Sequence, residues 1–201
     1  GESMSSVVDI CNEAMDLLGA ATITSLDENS KEAKLCNRRF TTVRDQVLRS
    51  HPWNSAIRRA TLAKDSATPA FGFTNQFSLP TDPFCLRVLS FFTDSINQDI
   101  AAYETQVMFK IEGRKVLSDE TACKIIFVAR VTDTEEYDSL LSSTIAHKLA
   151  SEVAYAITGS ASLSGQIFQL YQARLSEAKA MDAMEGVPDR LTSSEFIDVR
   201  V

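Results

Sequence analysis

Apolar positions recur with a helical period at both ends of the chain and with a strand period in its middle. Val7, Ile10, Cys11, Ala14, Leu17 and Leu18 fall at helical spacing, which predicts a first helix from Ser5 or Ser6 to Leu18 with Gly19 as its stop. After "AATITSL", Ser25 followed three residues later by Glu28 has the form of a capping box, and the helix it predicts runs to about Ser50. His51-Pro52 ends that helix, because the residue before proline is pushed out of the α region. Ala33, Cys36, Phe40, Val43 and Val47 share one arc of it, while Lys31, Lys34, Arg38, Asp45 and Arg49 share the opposite arc. The second helix is therefore amphipathic with a mostly basic outer face.

Beyond Pro52 the period changes. "AIRRATLA", "FTNQFSLP", "CLRVLSFF", "VMFKIEG" with "RKVLSD", and "CKIIFVAR" are rich in β-branched and aromatic residues and are separated by turn-formers such as "SATPAFG" and "PTDP". They predict an antiparallel meander whose clearest hairpin turns at Glu112-Gly113. Trp53, the only tryptophan, stands at the exit from helix into sheet, where a large apolar body with one polar tip acts as a wedge between layers.

From about Thr134 the helical period returns. One helix stops at Gly159, a second at Gly186, and the short "GSAS" link makes them an antiparallel hairpin. Leu141, Ile145, Leu149, Val153 and Ala156 form one apolar stripe with Glu152 inside it, and Ile167, Leu170, Tyr171, Ala178 and Met181 form the other with Arg174 inside it. A turn near Ala161 puts Glu152 and Arg174 at the same level, which predicts an ion pair across the hairpin. The fold expectation is α+β: a bundle of about four long helices with an inserted small antiparallel β-sheet and an extended C-terminal tail. It forms a single domain over 1–201, with a helical core at 5–52 and 133–186, a β-rich insertion at about 56–131 and an arm at 187–201.

Composition excludes little. Hydrophobic residues make up 44% of the chain and charged ones 23%, as in folded proteins, and no run of apolar residues is long enough to span a bilayer. The N-terminus lacks the basic region and apolar run of a secretory signal, so no membrane association or export by that route is expected. The net charge of −7 is unevenly placed: residues 31–59 carry eight Lys/Arg and two Asp/Glu, and residues 132–201 carry five Lys/Arg and eleven Asp/Glu. A basic end and an acidic end suit a head-to-tail contact between copies, which closes into a ring when its rotation divides a full turn.

Candidate chemistry is sparse. No phosphate-binding glycine loop, H-E-x-x-H or G-x-S-x-G occurs, so no cofactor is implied. The four cysteines lie apart in apolar contexts, which predicts buried thiols and no metal site. His147 falls opposite the apolar stripe of its helix and is expected to be exposed, and His51 belongs to the helix-ending corner. A glycosidase needs two carboxylates at a suitable separation. Glu13, Glu28, Glu135 and Glu136 are candidates, each with a capping or solvated-helix explanation. Lys31, Lys34, Arg38 and Arg49, extended by Arg58-Arg59, suit either a phosphate backbone or a subunit interface.

The order of motifs carries more. An N-terminal helix ending in "LLG", then "ITSLDENSKEAKLCNRRFTTVRDQVLRSHPWNSAIRRATLA", "FSLPTDPFCLRVLSF", "FKIEGRKVLSD", "IIFVARVTDTEEYDSLLSSTIAHKLASEVAYAIT" and "YQARLSEAKAMDA" resembles the tail tubular protein A, or head-to-tail adaptor, family of short-tailed bacteriophages. The resemblance spans nearly the whole chain. It departs after Trp53, where the family pattern often continues with Phe-Ala and this chain has Asn54-Ser55-Ala56.

The resemblance implies a non-enzymatic virion protein located beneath the portal and assembled in the bacterial host cytoplasm. A dodecameric ring would join the portal protein to a tail nozzle (tail tubular protein B-like) protein, with double-stranded DNA passing through without sequence specificity. It also implies a C-terminal segment that reaches the portal, with Phe196 as its anchor and Arg200 as its ionic contact. A net acidic conduit holds DNA loosely enough to release it. Two alternatives are a virion-associated peptidoglycan or capsular polysaccharide hydrolase and a DNA-binding terminator of packaging.

Overall fold

The computed structural model describes residues 6–93 and 109–186. Helix α1 (Val7–Leu18) has the expected limits because both ends are fixed locally. The Ser6 hydroxyl accepts from the Asp9 N–H at 3.1 Å, the Asp9 carboxylate accepts from the Ser6 N–H at 2.8 Å, and Gly19 closes the helix at φ 64°. These hydrogen bonds hold the Asp9 carboxyl below the usual carboxylate range.

Helix α2 (Lys31–Arg49) starts later than its sequence pattern predicts. Ser30 is its N-cap, accepting from the Ala33 N–H. Ser25 and Glu28 form no cap for it: the Glu28 carboxylate instead turns back on the Thr24 N–H and hydroxyl at 2.9 and 3.0 Å. A serine three residues before a glutamate closes a capping box only when the intervening backbone is helical, and here it is a turn.

A 3₁₀ turn (Asn54–Ala56) leads into strand β1 (Ile57–Leu62), followed by β2 (Asn75–Ser78), β3 (Cys85–Phe92), β4 (Lys110–Glu112), β5 (Lys115–Ser118) and β6 (Cys123–Ala129). The β4–β5 hairpin turns at Gly113, whose φ of 58° suits glycine. The meander does not form. Among the described residues two three-stranded antiparallel sheets occur instead, ordered β1-β6-β3 and β2-β5-β4. "CKIIFVA" is the most continuously apolar strand, so β6 takes a central place, and the basic β1 with "IRRATL" is left at an edge.

Alternate residues of β6 serve two cores. Cys123, Ile125 and Phe127 pack with Phe77, Leu79 and Val116 between the sheets, while Val128 joins the helical core.

The second sheet is tied down by Asp65, which accepts from Lys115 Nζ at 2.6 Å and from the Ser78 hydroxyl at 2.9 Å. The Lys115 ammonium holds the Asp65 carboxyl below the usual range. A depressed folded-state value stabilises the fold above the unfolded-state value of about 3.9, and that stabilisation is lost as pH falls through the folded value. Asp65→Asn is therefore expected to lower stability at neutral pH and to flatten the acid limb of stability against pH. Urea unfolding at stepped pH checks this, and parallel curves for the two proteins would refute it.

Helix α3 (Ser139–Thr158) is capped by Asp138 and stopped by Gly159 at φ 70°, and α4 (Ala161–Glu185) is capped by Ser160. The expected bundle of about four long helices with one inserted sheet is not what the chain forms. The mix is α+β, but α1 has only 12 residues and α3 is a hub on which α1, α2 and α4 all pack. The reason lies in the side chains. Alanines, serines and aliphatics let α3 be buried nearly all round, whereas α4 buries only Ile167, Tyr171, Ala178 and Asp182 within the fold. His147 shares the burial of α3: it is buried, with Nδ1 2.7 Å from the Ser143 carbonyl oxygen, not exposed as its wheel position predicts.

Candidate functional site

The joint after α2 is a packed corner. Trp53 is 1% exposed, and its indole N–H donates to the Val47 carbonyl at 2.9 Å. His51 meets the indole edge-on at 4.7 Å, and His51 Nε2 lies 2.9 Å from Asp182 Oδ2. The other Asp182 oxygen accepts from the Asn54 N–H at 3.1 Å, and the Asn54 side-chain amide donates to the Asp182 carbonyl at 2.8 Å. The last turn of α4 is thereby fastened to the point where helix becomes sheet. Asp182 had a signal in the sequence: it is an acid one turn beyond Ala178, in line with the buried stripe.

The basic run on α2 divides by role. Lys31, Lys34 and Arg38 are exposed, as is Arg59 on β1. Lys34 and Arg38 line a shallow depression of about 400 Å³ together with Asp27 and Glu28, so acids border the cations there. Arg49 is also exposed, yet its guanidinium donates to the Leu86 carbonyl and braces β3. Arg44 is buried, with Nε 3.0 Å from Asp45 Oδ1, and Arg130 donates to the other Asp45 oxygen at 2.9 Å. The guanidiniums of Arg130 and Arg114 lie 4.2 and 3.9 Å from the centre of the Phe84 ring.

The predicted pairing of Glu152 with Arg174 does not occur. Glu152 binds Arg39 of α2 and lies 3.6 Å from Lys148, while Arg174 pairs with Glu177 of its own helix at 3.0 Å. Because α3 is the hub, Glu152 faces α2 as well as α4, and Arg39 borders the buried arc of α2 closely enough to reach it. Glu152→Ala is expected to lower stability by about 1 kcal/mol, since this pair is partly exposed, and Arg174→Ala by less than about 0.5 kcal/mol. Urea unfolding of both variants checks the order, and a larger loss for Arg174→Ala would reverse the assignment.

Three of the four candidate carboxylates, those of Glu13, Glu28 and Glu136, are engaged by neighbouring groups. Glu13 accepts from the Ser143 hydroxyl at 2.7 Å, Glu28 is folded onto Thr24, and the Glu135 N–H is capped by Asp133. Glu136 accepts from Arg58 at 2.5 Å in a cleft of about 360 Å³ between the first sheet and the 3₁₀ turn Thr134–Glu136. All four cysteines are buried. Burial pushes the Cys123 thiol up to about 12. Contact with the Cys36 sulfur, and then burial, push Cys11 up as well. Among the described residues no three His, Cys, Asp or Glu side chains converge, and no helix is long and apolar enough to cross a membrane. Phe196 and Arg200 lie outside the described residues.

One further surface escaped the sequence pattern. Leu170, Met181 and Met184 of α4 are 50, 45 and 73% exposed and form a flank beside its buried stripe. The wheel placed Leu170 and Met181 in the core, but α3 covers only the sector of Ile167, Tyr171 and Ala178. No family model matches the chain, and no curated protein sequence matches it.

Proposed function

We propose that the chain is a structural subunit of a short-tailed phage virion. It is a head-to-tail adaptor whose copies form a ring, a dodecamer, that joins the portal protein to the tail nozzle and lets double-stranded DNA through. Its place is beneath the portal, after assembly in the host cytoplasm. The observation that carries this reading is the order of sequence motifs along nearly the whole chain. Two structural facts support it. Lys31, Lys34 and Arg38 leave an outward cationic face on α2, which a head-to-tail contact with an acidic surface of the next copy could use. Cations lining a mixed-charge depression suit a protein neighbour better than a tightly held phosphate backbone.

In this reading the helical part (5–52 and 133–186) and the β-rich insertion (about 56–131) form the ring wall, and the arm (187–201) docks on the portal through Phe196 and Arg200. Negative-stain electron microscopy of the purified chain with and without portal tests the ring. Rings stacked on portal are expected, and bare portal particles in a mixture with the chain would overturn the reading. Deleting residues 188–201 is expected to abolish portal binding while the circular dichroism stays that of the parent. Unchanged binding would remove the docking role of Phe196 and Arg200.

A further inference from the structure

The exposed flank of α4 is self-complementary. Leu170 and Met181 lie on one face, with Arg174 and Glu177 between them, and both pairs are centred on the same point between Leu175 and Ser176. Two copies of α4 laid antiparallel about a two-fold axis through that point bring Leu170 of each level with Met181 of the other. The same operation brings Arg174 level with Glu177 twice over. The apolar residues span about 16 Å of helix, three turns, which is enough for an interhelical seam. The ion pair now made within one helix at 3.0 Å is exposed and of little worth alone, so its exchange between copies meets little opposition. The buried stripe of α4 is turned away towards α3, so the seam leaves the fold as it is.

We propose that the free protein pairs with a second copy through this face of α4. The contact goes beyond the adaptor reading. A two-fold interface closes at two copies and builds no ring, so it belongs to the chain before it meets the portal.

The test is a charge-exchange pair on the full chain. Arg174→Glu leaves two acids on the seam, and Glu177→Arg leaves two cations. Each variant alone faces like charge at both sites, and sedimentation equilibrium is expected to show its self-association weakened about tenfold or more. Mixed in equal amounts they restore both opposite-charge contacts, and a heterodimer with the parent's affinity is expected. Leu170→Glu with Met181→Glu is expected to leave a monomer with the parent's circular dichroism. A parent that remains monomeric up to about 100 μM, a concentration well above that of specific dimers, overturns the proposal. So does association of the single charge variants as tight as the parent's, or failure of the mixture to pair. Rings on portal can form or fail whichever way these measurements fall, so the two readings stand or fall separately.

Discussion

Replacing Trp53 by alanine is expected to lower the unfolding free energy by about 3–5 kcal/mol, the range for truncating a fully buried aromatic side chain. Trp53 is among the largest fully buried side chains in the chain and lies in the helical core, beside the end of α2 and the start of the first sheet. Two contributions make up its effect, and they are unequal. The indole hydrogen bond is the smaller, because the Val47 carbonyl also accepts from the Ser50 N–H at 3.1 Å and hydroxyl at 2.7 Å and stays satisfied without it. The larger is the cavity, which a corner built from a helix end, a 3₁₀ turn and a strand cannot collapse to fill. Trp53→Phe separates them. It keeps most of the ring volume, loses the donor, and is expected to lower stability by roughly 1–2 kcal/mol. Urea unfolding followed by far-UV circular dichroism is the suitable measurement, since the substitution removes the only tryptophan signal. Equal losses for the two variants would mean that the hydrogen bond dominates.

What the sequence made legible is what is decided within a few residues. Ser6 and Gly19 delimit α1, His51-Pro52 ends α2, Gly113 turns the hairpin and Gly159 stops α3, and each of these works through its own φ or its own side-chain acceptor. What it hid is what depends on distant partners. Strand order is one case: β6 sits between β1 and β3 although both precede it in the chain, and no local period encodes that choice. The partner of Glu152 is another, because the wheel of a hairpin sees two helices while α3 touches three. His147 is buried, against its wheel position, for the same reason: the face opposite one stripe is solvent on a two-sided helix and core on a hub.

The candidate surfaces were legible in the same uneven way. Lys31, Lys34 and Arg38 are outward as amphipathicity requires, but the eight basic residues of 31–59 are not one patch. Arg39, Arg49 and Arg58 each hold a carboxylate or carbonyl that joins α2 or β1 to another element, and Arg44 is buried against Asp45 of its own helix. Four of the eight are committed in this way, so charge counting overstates the positive face about twofold.

Asp182→Ala is the second substitution expected to have a large effect, about 2–3 kcal/mol, because it removes a buried carboxylate and with it the acceptor of two partners that tie the end of α4 to the joint. The carboxylate is 5% exposed and satisfies the Asn54 N–H and His51 at once, so truncation strands a backbone donor and an imidazole beside Trp53. Asp182→Asn keeps an acceptor of the same shape for Asn54 but loses the charge towards His51, and roughly half the loss is expected. A double-mutant cycle with His51→Ala isolates that contact, with a coupling of about 1–2 kcal/mol. The readout that separates a latch from ordinary core packing is local. Hydrogen exchange in the final turn of α4 is expected to rise in Asp182→Ala far more than in the first turns of the same helix, which Ile167 and Tyr171 anchor independently on α3. A stability within about 0.5 kcal/mol of the parent, or exchange that rises evenly along α4, would show that packing alone holds the helix end against the joint.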